Sequence, residues 1–177
     1  MRLVNTRLVN KPVADVWEVL GPGYERAGDW ASSVYVSRAR SGQPKVTAAP
    51  VAGRTCETSL GPFTETIEAY DPVARRIAYS ATGDKMPGFV RSLVNTWELV
   101  PKGPDRTEVR MVLEADIAFP FSVLMGWMMK MQFRKVLHES LEEFAHYVET
   151  GRPHARKVKV DASKKAKAAR SALHVAA

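Results

Sequence analysis

Residues Phe121 to Thr150, FSVLMGWMMKMQFRKVLHESLEEFAHYVET, decide how the rest of the chain is read. Pro120 before them suits a helix start and Gly151 after them suits a stop, so one long C-terminal helix is expected. At about 3.6 residues per turn, Phe133, Leu137, Ser140, Leu141, Phe144 and Val148 form one stripe, while Arg134, Lys135, His138, Glu139, Glu142, His146 and Glu149 share the other side. The second half is thus an ordinary amphipathic helix whose apolar face needs a partner layer. The first half departs from the pattern. Continued backwards, the core stripe meets Met129, Gly126 and Ser122, while Phe121, Leu124, Met125, Met128 and Met131 lie on the side that later becomes charged. A cofactor, a lid loop, a second subunit or a membrane surface would each account for that second face, and so would packing by the protein on both sides of the helix or a kink near Met129 and Lys130 that divides it. Small Ser122 and Gly126 leave room on the inner face, and unbranched methionines suit a wall that meets irregular partners.

The partner layer lies upstream. Residues 2–9, RLVNTRLV, are short, partly alternating and rich in strand formers. Pro12 then opens a helix over Val13 to Leu20 with Val13, Val16, Trp17 and Leu20 on one face, and Gly21-Pro22-Gly23 stops it. A second short helical or turn segment follows near Tyr24 to Ala27. From Ser33 the pattern becomes β: VYVSRAR, RTCETSL from Arg54, FTETIEAY, RRIAYSA, FVRSLVNTWELV and TEVRMVLEADIAF. Gly61-Pro62, Asp71-Pro72, residues 83–88 and Pro101-Lys102-Gly103-Pro104 separate the later runs, and turns this short between consecutive strands argue for an antiparallel meander. The last strand alternates cleanly, with Val109, Met111, Leu113, Ala115 and Ile117 facing one way and Glu108, Arg110, Glu114 and Asp116 the other. One side is covered and one is wet. There is no internal repeat and no heptad array.

The order is strand, two short helices, six strands, long helix. It resembles the START-like helix-grip superfamily, also called SRPBCC, and within it the polyketide cyclase/dehydrase-like group. The residues that carry the resemblance are Asn10-Lys11-Pro12-Val13-Ala14-Asp15-Val16-Trp17, then Gly28-Asp29-Trp30, then Tyr70-Asp71-Pro72 with Arg76 beyond it, and Thr96-Trp97-Glu98-Leu99-Val100-Pro101 followed by Arg106-Thr107-Glu108-Val109. It covers residues 2 to about 150. The resemblance implies an α+β fold in which a seven-stranded antiparallel sheet wraps around the long helix and leaves an internal cavity. Such proteins include lipid carriers, aromatic cyclases, co-chaperones and ubiquinone-binding proteins, so the resemblance predicts a container and leaves the reaction open.

Charge sharpens the domain reading. The formal net charge of +7 suggests nucleic acid until it is located. Of 26 Lys and Arg, eight lie in residues 152–177 against a single Asp, which leaves 18 basic and 18 acidic residues in the rest. One START-like domain over 1–151 and a basic tail over 152–177, disordered or a marginal helix, are therefore expected. The tail's charge could attract anionic lipid or nucleic acid, though it has no aromatic residue on which bases would stack. Cys56 is alone, so nothing asks for an oxidising compartment. The opening residues lack a signal peptide's apolar core, and a cytoplasmic protein is the expectation.

Ligand chemistry requires polar groups on the strand face that turns inward, because a buried polar group without a partner is costly. On FVRSLVNTWELV the apolar parity of Phe89, Leu93, Trp97 and Leu99 places Arg91 and Asn95 on the same face; Tyr79 shares its face with Ile77, and Glu65 with Ile67. Glu65, Tyr79, Arg91 and Asn95 are thus the candidate inward polar groups, with Trp97, Met111, Met129 and Phe133 as apolar wall. Arg91 could fork onto a carboxylate, phenolate or enolate, or instead pair with Glu65 or reach water at a sheet end. In the cyclases that the chain resembles, such residues assist enolisation and dehydration, and Arg91 and Tyr79 would be first choices here. No cofactor or metal is expected: His138 and His146 lie on a charged helical face where solvated pairs account for them, Cys56 reads as a plain buried thiol, and Gly21-Pro22-Gly23 lacks phosphate-loop spacing.

Two functions remain. In the first the chain binds a small hydrophobic or aromatic molecule between sheet and helix, with or without a cyclase- or dehydratase-like step. In the second it is an interaction or lipid-carrier module, in which the apolar face of Phe121 to Met131 docks a partner, a sister subunit to form a homodimer, or a membrane, aided by the tail.

Overall fold

In a computed structural model that describes residues 1–175, the strands are β1 (Arg2–Val9), β2 (Val34–Ala39), β3 (Gly53–Thr58), β4 (Gly61–Asp71), β5 (Arg76–Gly83), β6 (Val90–Gly103) and β7 (Arg106–Ile117). They form one sheet in the order β1-β7-β6-β5-β4-β3-β2, with every neighbour antiparallel. Residues β2 to β7 make the meander that the turns predict. β1 closes it from the far edge, so α1 (Val13–Leu20) and a 3-10 helix (Tyr24–Asp29) must carry the chain from one edge to the other. Register shifts in β2, β4 and β6 add residues on one strand only, and such bulges bend a sheet. The long helix lies against β1, β7 and α1. This is the α+β helix-grip architecture.

Burial on the long helix follows the stripe for half its length. Leu137, Leu141, Phe144 and Ala145 are buried, and Phe144 meets Trp30 and Trp97 edge-on with ring centroids 5.2 and 5.4 Å away. The helix is not continuous from Phe121. It divides into α2 (Phe121–Leu124) and α3 (Gly126–Thr150) at Met125, whose backbone sits at φ −116°, ψ −3°. The break lies one turn earlier than Met129 and Lys130, because Gly126 is where the ladder gives most easily. Gly151, at φ 69°, ends α3 in the left-handed conformation and donates its N–H to the Tyr147 carbonyl at 2.8 Å.

Of the two expectations for the tail, its described part takes the helical one, and it is packed rather than marginal. Its described part forms α4 (Ala155–Asp161) and α5 (Lys164–Val175), and α5 lies beside the edge strand β2. Glu143, only 1% exposed, explains the docking. Its carboxylate accepts from the Ser32 N–H and hydroxyl and from Arg156 Nε, each at 2.7 Å, while Arg156 also pairs with Glu142. Fully buried Lys157 donates to the Val34 carbonyl at 2.7 Å and pairs with Asp161. Cations that composition reads as solvated are here the counter-charges of a buried carboxylate and the cover of a strand edge. Among the described residues, no helix is long and apolar enough to cross a membrane.

Candidate functional site

Strand register defines the inner face. Asn95 on β6 stands opposite Tyr79 on β5 and Leu113 on β7, and Trp97 stands opposite Ile77 and Met111. With side chains alternating along each strand, Tyr79, Asn95, Trp97 and Met111 all turn inward as expected. Arg91 does not. The ladder slips between Val90 and Ser92, so Val90 takes the place opposite Ile117, Arg91 becomes the extra residue of a bulge, and its side chain is exposed at an open cleft with Met86 and Gly88. Met129 and Phe133 are half-buried on the early turns of α3, where Phe133 packs against the core.

The partner of Glu65 is therefore Arg54, which lies opposite it on β3 and is 6% exposed. Arg54 Nε donates to Glu65 Oε2 at 2.6 Å, and Nη1 donates to the Tyr24 carbonyl, also at 2.6 Å. The Tyr24 hydroxyl donates to the same Glu65 oxygen at 2.8 Å. Arg54 lies over the Tyr24 ring at 4.3 Å and near the Tyr79 ring at 5.3 Å, and Trp97 Nε1 donates to the Tyr79 hydroxyl at 3.2 Å. Cation, carboxylate and two phenols thus form one buried network. Hydrogen bonds between the charged partners make such a network strong, and the rings offset part of the guanidinium's lost hydration.

Burial decides the protonation states. It pushes the Tyr24 and Tyr79 phenols far above their ordinary range, with the Glu65 charge adding to the shift. Both are proton donors at neutral pH rather than bases. Burial also works against the Arg54 charge, but the Glu65 carboxylate offsets it and the guanidinium stays charged. Burial pushes the Cys56 thiol up to about 11 despite Arg54 beside it, which leaves it an unreactive thiol.

The interior is fuller than the resemblance implies. Val19, Leu20, Tyr24, Trp30, Arg54, Tyr79 and Trp97 line a space of about 20 Å³, room for about one water. Trp30, Trp97 and Phe144 occupy the ground that sheet curvature opens, with Tyr24 packed on Tyr79 beside them. Larger spaces lie toward the start of α3. Met1, Asp116, Ile117, Ser122, Gly126 and Lys130 line a cleft of about 290 Å³, and Leu3, Val4, Asn5, Arg134 and Leu137 line another of about 260 Å³. A Cβ on Gly126 would meet nothing within 4 Å, so the glycine faces open space beside the first of these clefts. One buried acceptor on the inner face stays unpaired: Asn95 Oδ1 has no hydrogen-bond partner. Among the described residues, no three His, Cys, Asp or Glu side chains converge as metal ligands.

Sequence reading missed Arg54 and Tyr24. For Arg54 a signal existed: with Gly61 opposite Thr58, counting back along the hairpin places Arg54 across from Glu65. Tyr24 lies in a 3-10 segment with no periodicity to show its direction.

Comparison with known proteins bears on this geometry. A family profile described as polyketide cyclase / dehydrase and lipid transport matches residues 1–149. Among solved structures, the Zhui aromatase/cyclase from Streptomyces sp. R1128 is 15% identical over 84% of this chain and 93% of its own, with a TM-score of 0.65. The di-domain aromatase/cyclase BexL of the BE-7585A biosynthetic pathway is 16% identical over 84% of this chain and 46% of its own, at 0.67. A START superfamily protein from Mycobacterium smegmatis is 13% identical over 80% and 94%, at 0.60. At these identities the likeness is one of fold. No curated protein matches the chain in sequence.

Proposed function

The chain belongs to the polyketide cyclase / dehydrase and lipid transport family, and we propose that it binds a small hydrophobic or aromatic molecule between the inner face of the sheet and the early turns of α3. The observation that carries this reading is the Asn95 Oδ1 acceptor, buried and unpaired beside Tyr79. An unpaired buried acceptor costs about 1–3 kcal/mol, and a ligand hydroxyl or N–H would remove that cost. Tyr79 supplies the complementary group. Its oxygen already accepts from Trp97, so its own proton is available to a ligand carbonyl. The pair would select a molecule that carries both a donor and an acceptor on an aromatic or polyene frame.

The space beside Tyr79 takes one water, so such a molecule would enter from the cleft beside Ser122 and Gly126 and displace the half-buried Met129 and Phe133. Methionine is well suited to yield in this way. If the bound molecule reacts, Tyr79 and charged Arg54 would stabilise a developing enolate, the first requirement of a cyclisation or dehydration. Native mass spectrometry of the chain with a panel of aromatic hydroxyketones and fatty acids tests the reading: a saturable one-to-one adduct lost in Asn95→Leu is expected, and no adduct with either class would overturn it. In Tyr79→Phe, turnover that falls further than affinity would assign an enzyme, and the reverse would assign a carrier.

A further inference from the structure

The clearest surface that the ligand reading leaves unused is the corner where α2 meets α3. Phe119 is 81% exposed, Val123 70%, Trp127 69% and Leu124 66%, with Met131 on the next turn of the same face. These side chains all fall within residues 119–131. Phe121 stacks on Phe89 with ring centroids 4.6 Å apart and rings 16° from parallel, which fastens the corner to the loop before β6. The corner is therefore held in place while its apolar tips point outward, and a contiguous exposed apolar patch marks an interaction site more often than a free surface.

Charge chooses among the occupants. From Ile117 to His138 there is no acidic residue, while Lys130, Arg134 and Lys135 are exposed on the same stretch. Lys135 stands 4.0 Å from Glu139 at the far edge, and Lys130 and Arg134 have no acidic partner in the described residues. Two copies meeting face to face would bring these cations together, which disfavours a dimer here. α2 ends at Met125, so its apolar residues and those of α3 meet at a break rather than along one continuous helix face. Exposed Trp, Leu, Val and Phe flanked by Lys and Arg are instead the groups that settle at a membrane–water boundary.

We propose that the α2–α3 corner docks on an anionic lipid surface, inserting Val123, Leu124 and Trp127 among the acyl chains near the headgroups while Lys130 and Arg134 pair with lipid phosphates. The basic helices α4 and α5 take no part. Arg156 anchors them at Glu143, sixteen residues and about 24 Å along α3 from Trp127. Lys130 also lines the cleft of about 290 Å³ with Ser122 and Gly126, so docking would bring the mouth of that cleft to the lipid. The docking stands on exposure and charge alone, and holds whether or not the interior takes a ligand.

The test is sedimentation of the whole chain with phosphatidylcholine vesicles, plain or carrying about 30 mole per cent phosphatidylglycerol. Binding to the anionic vesicles that weakens as salt rises is expected, with a loss of about tenfold or more in both Leu124→Ser/Trp127→Ser and Lys130→Glu/Arg134→Glu. Trp17, Trp30 and Trp97 are buried, so in the unaltered protein a blue shift and protection from a soluble quencher would report Trp127 alone. No binding to anionic vesicles, binding that both variants retain, or a wild-type dimer that Leu124→Ser/Trp127→Ser dissociates would each overturn the proposal.

Discussion

The two halves of α3 share one backbone and differ in what stands before them. From Leu137 onward the helix buries Leu137, Leu141, Phe144 and Ala145, with Phe144 edge-on to Trp30 and Trp97, and Glu143 is tied to Ser32 and Arg156. Between Gly126 and Val136 no residue is buried. The contrast separates two tasks that compact domains often assign to different regions: one end supplies cooperative stability, and the other stays open enough to bind. The polar network around Arg54 lines the small space at the filled end, with Asn95 standing opposite Tyr79 on the neighbouring strand.

Substitutions can break or sharpen this contrast. The largest effect is expected at Arg54. Arg54→Met leaves Glu65 buried without a counter-charge and should lower stability by about 3–5 kcal/mol in urea unfolding, while adding Glu65→Leu should restore most of the loss. Phe144→Ala should cost about 3–5 kcal/mol by opening a cavity among Trp30 and Trp97, whereas Met131→Ala, on the same helix, should stay within about 0.5 kcal/mol. Equal losses at the two positions would erase the division of the helix. Arg156→Ala should cost about 2 kcal/mol, because Glu143 keeps its Ser32 donors and Arg156 is itself partly exposed; hydrogen exchange in α4 should rise with it. Asn95→Leu should raise stability by about 1 kcal/mol in thermal unfolding, since it replaces a half-buried amide and its unpaired acceptor by an apolar side chain of the same branching, and should weaken ligand binding at the same time.

Much of the fold was legible. Each strand run began or ended within a few residues of the observed element, because alternation and turn chemistry are local signals. The apolar stripe of Leu137, Leu141 and Phe144 was visible for the same reason. The inward placement of Tyr79, Asn95 and Trp97 followed from parity. It failed at Arg91, where one inserted residue reverses the faces and parity cannot reveal the insertion. Glu143 and Lys157 were hidden more deeply: on a helical wheel and in a basic run both resemble solvated charges, and only the partners brought from residues 32 and 34 make them interior.

By itself the chain determined its elements, their order, their antiparallel pairing and the face of α3 that must be covered, since each rests on spacing among neighbours. Tertiary structure decided how much space remained, which charges were buried and which apolar residues stayed uncovered. Those are sums over side chains that meet from distant strands and helices, and local periodicity carries no record of them.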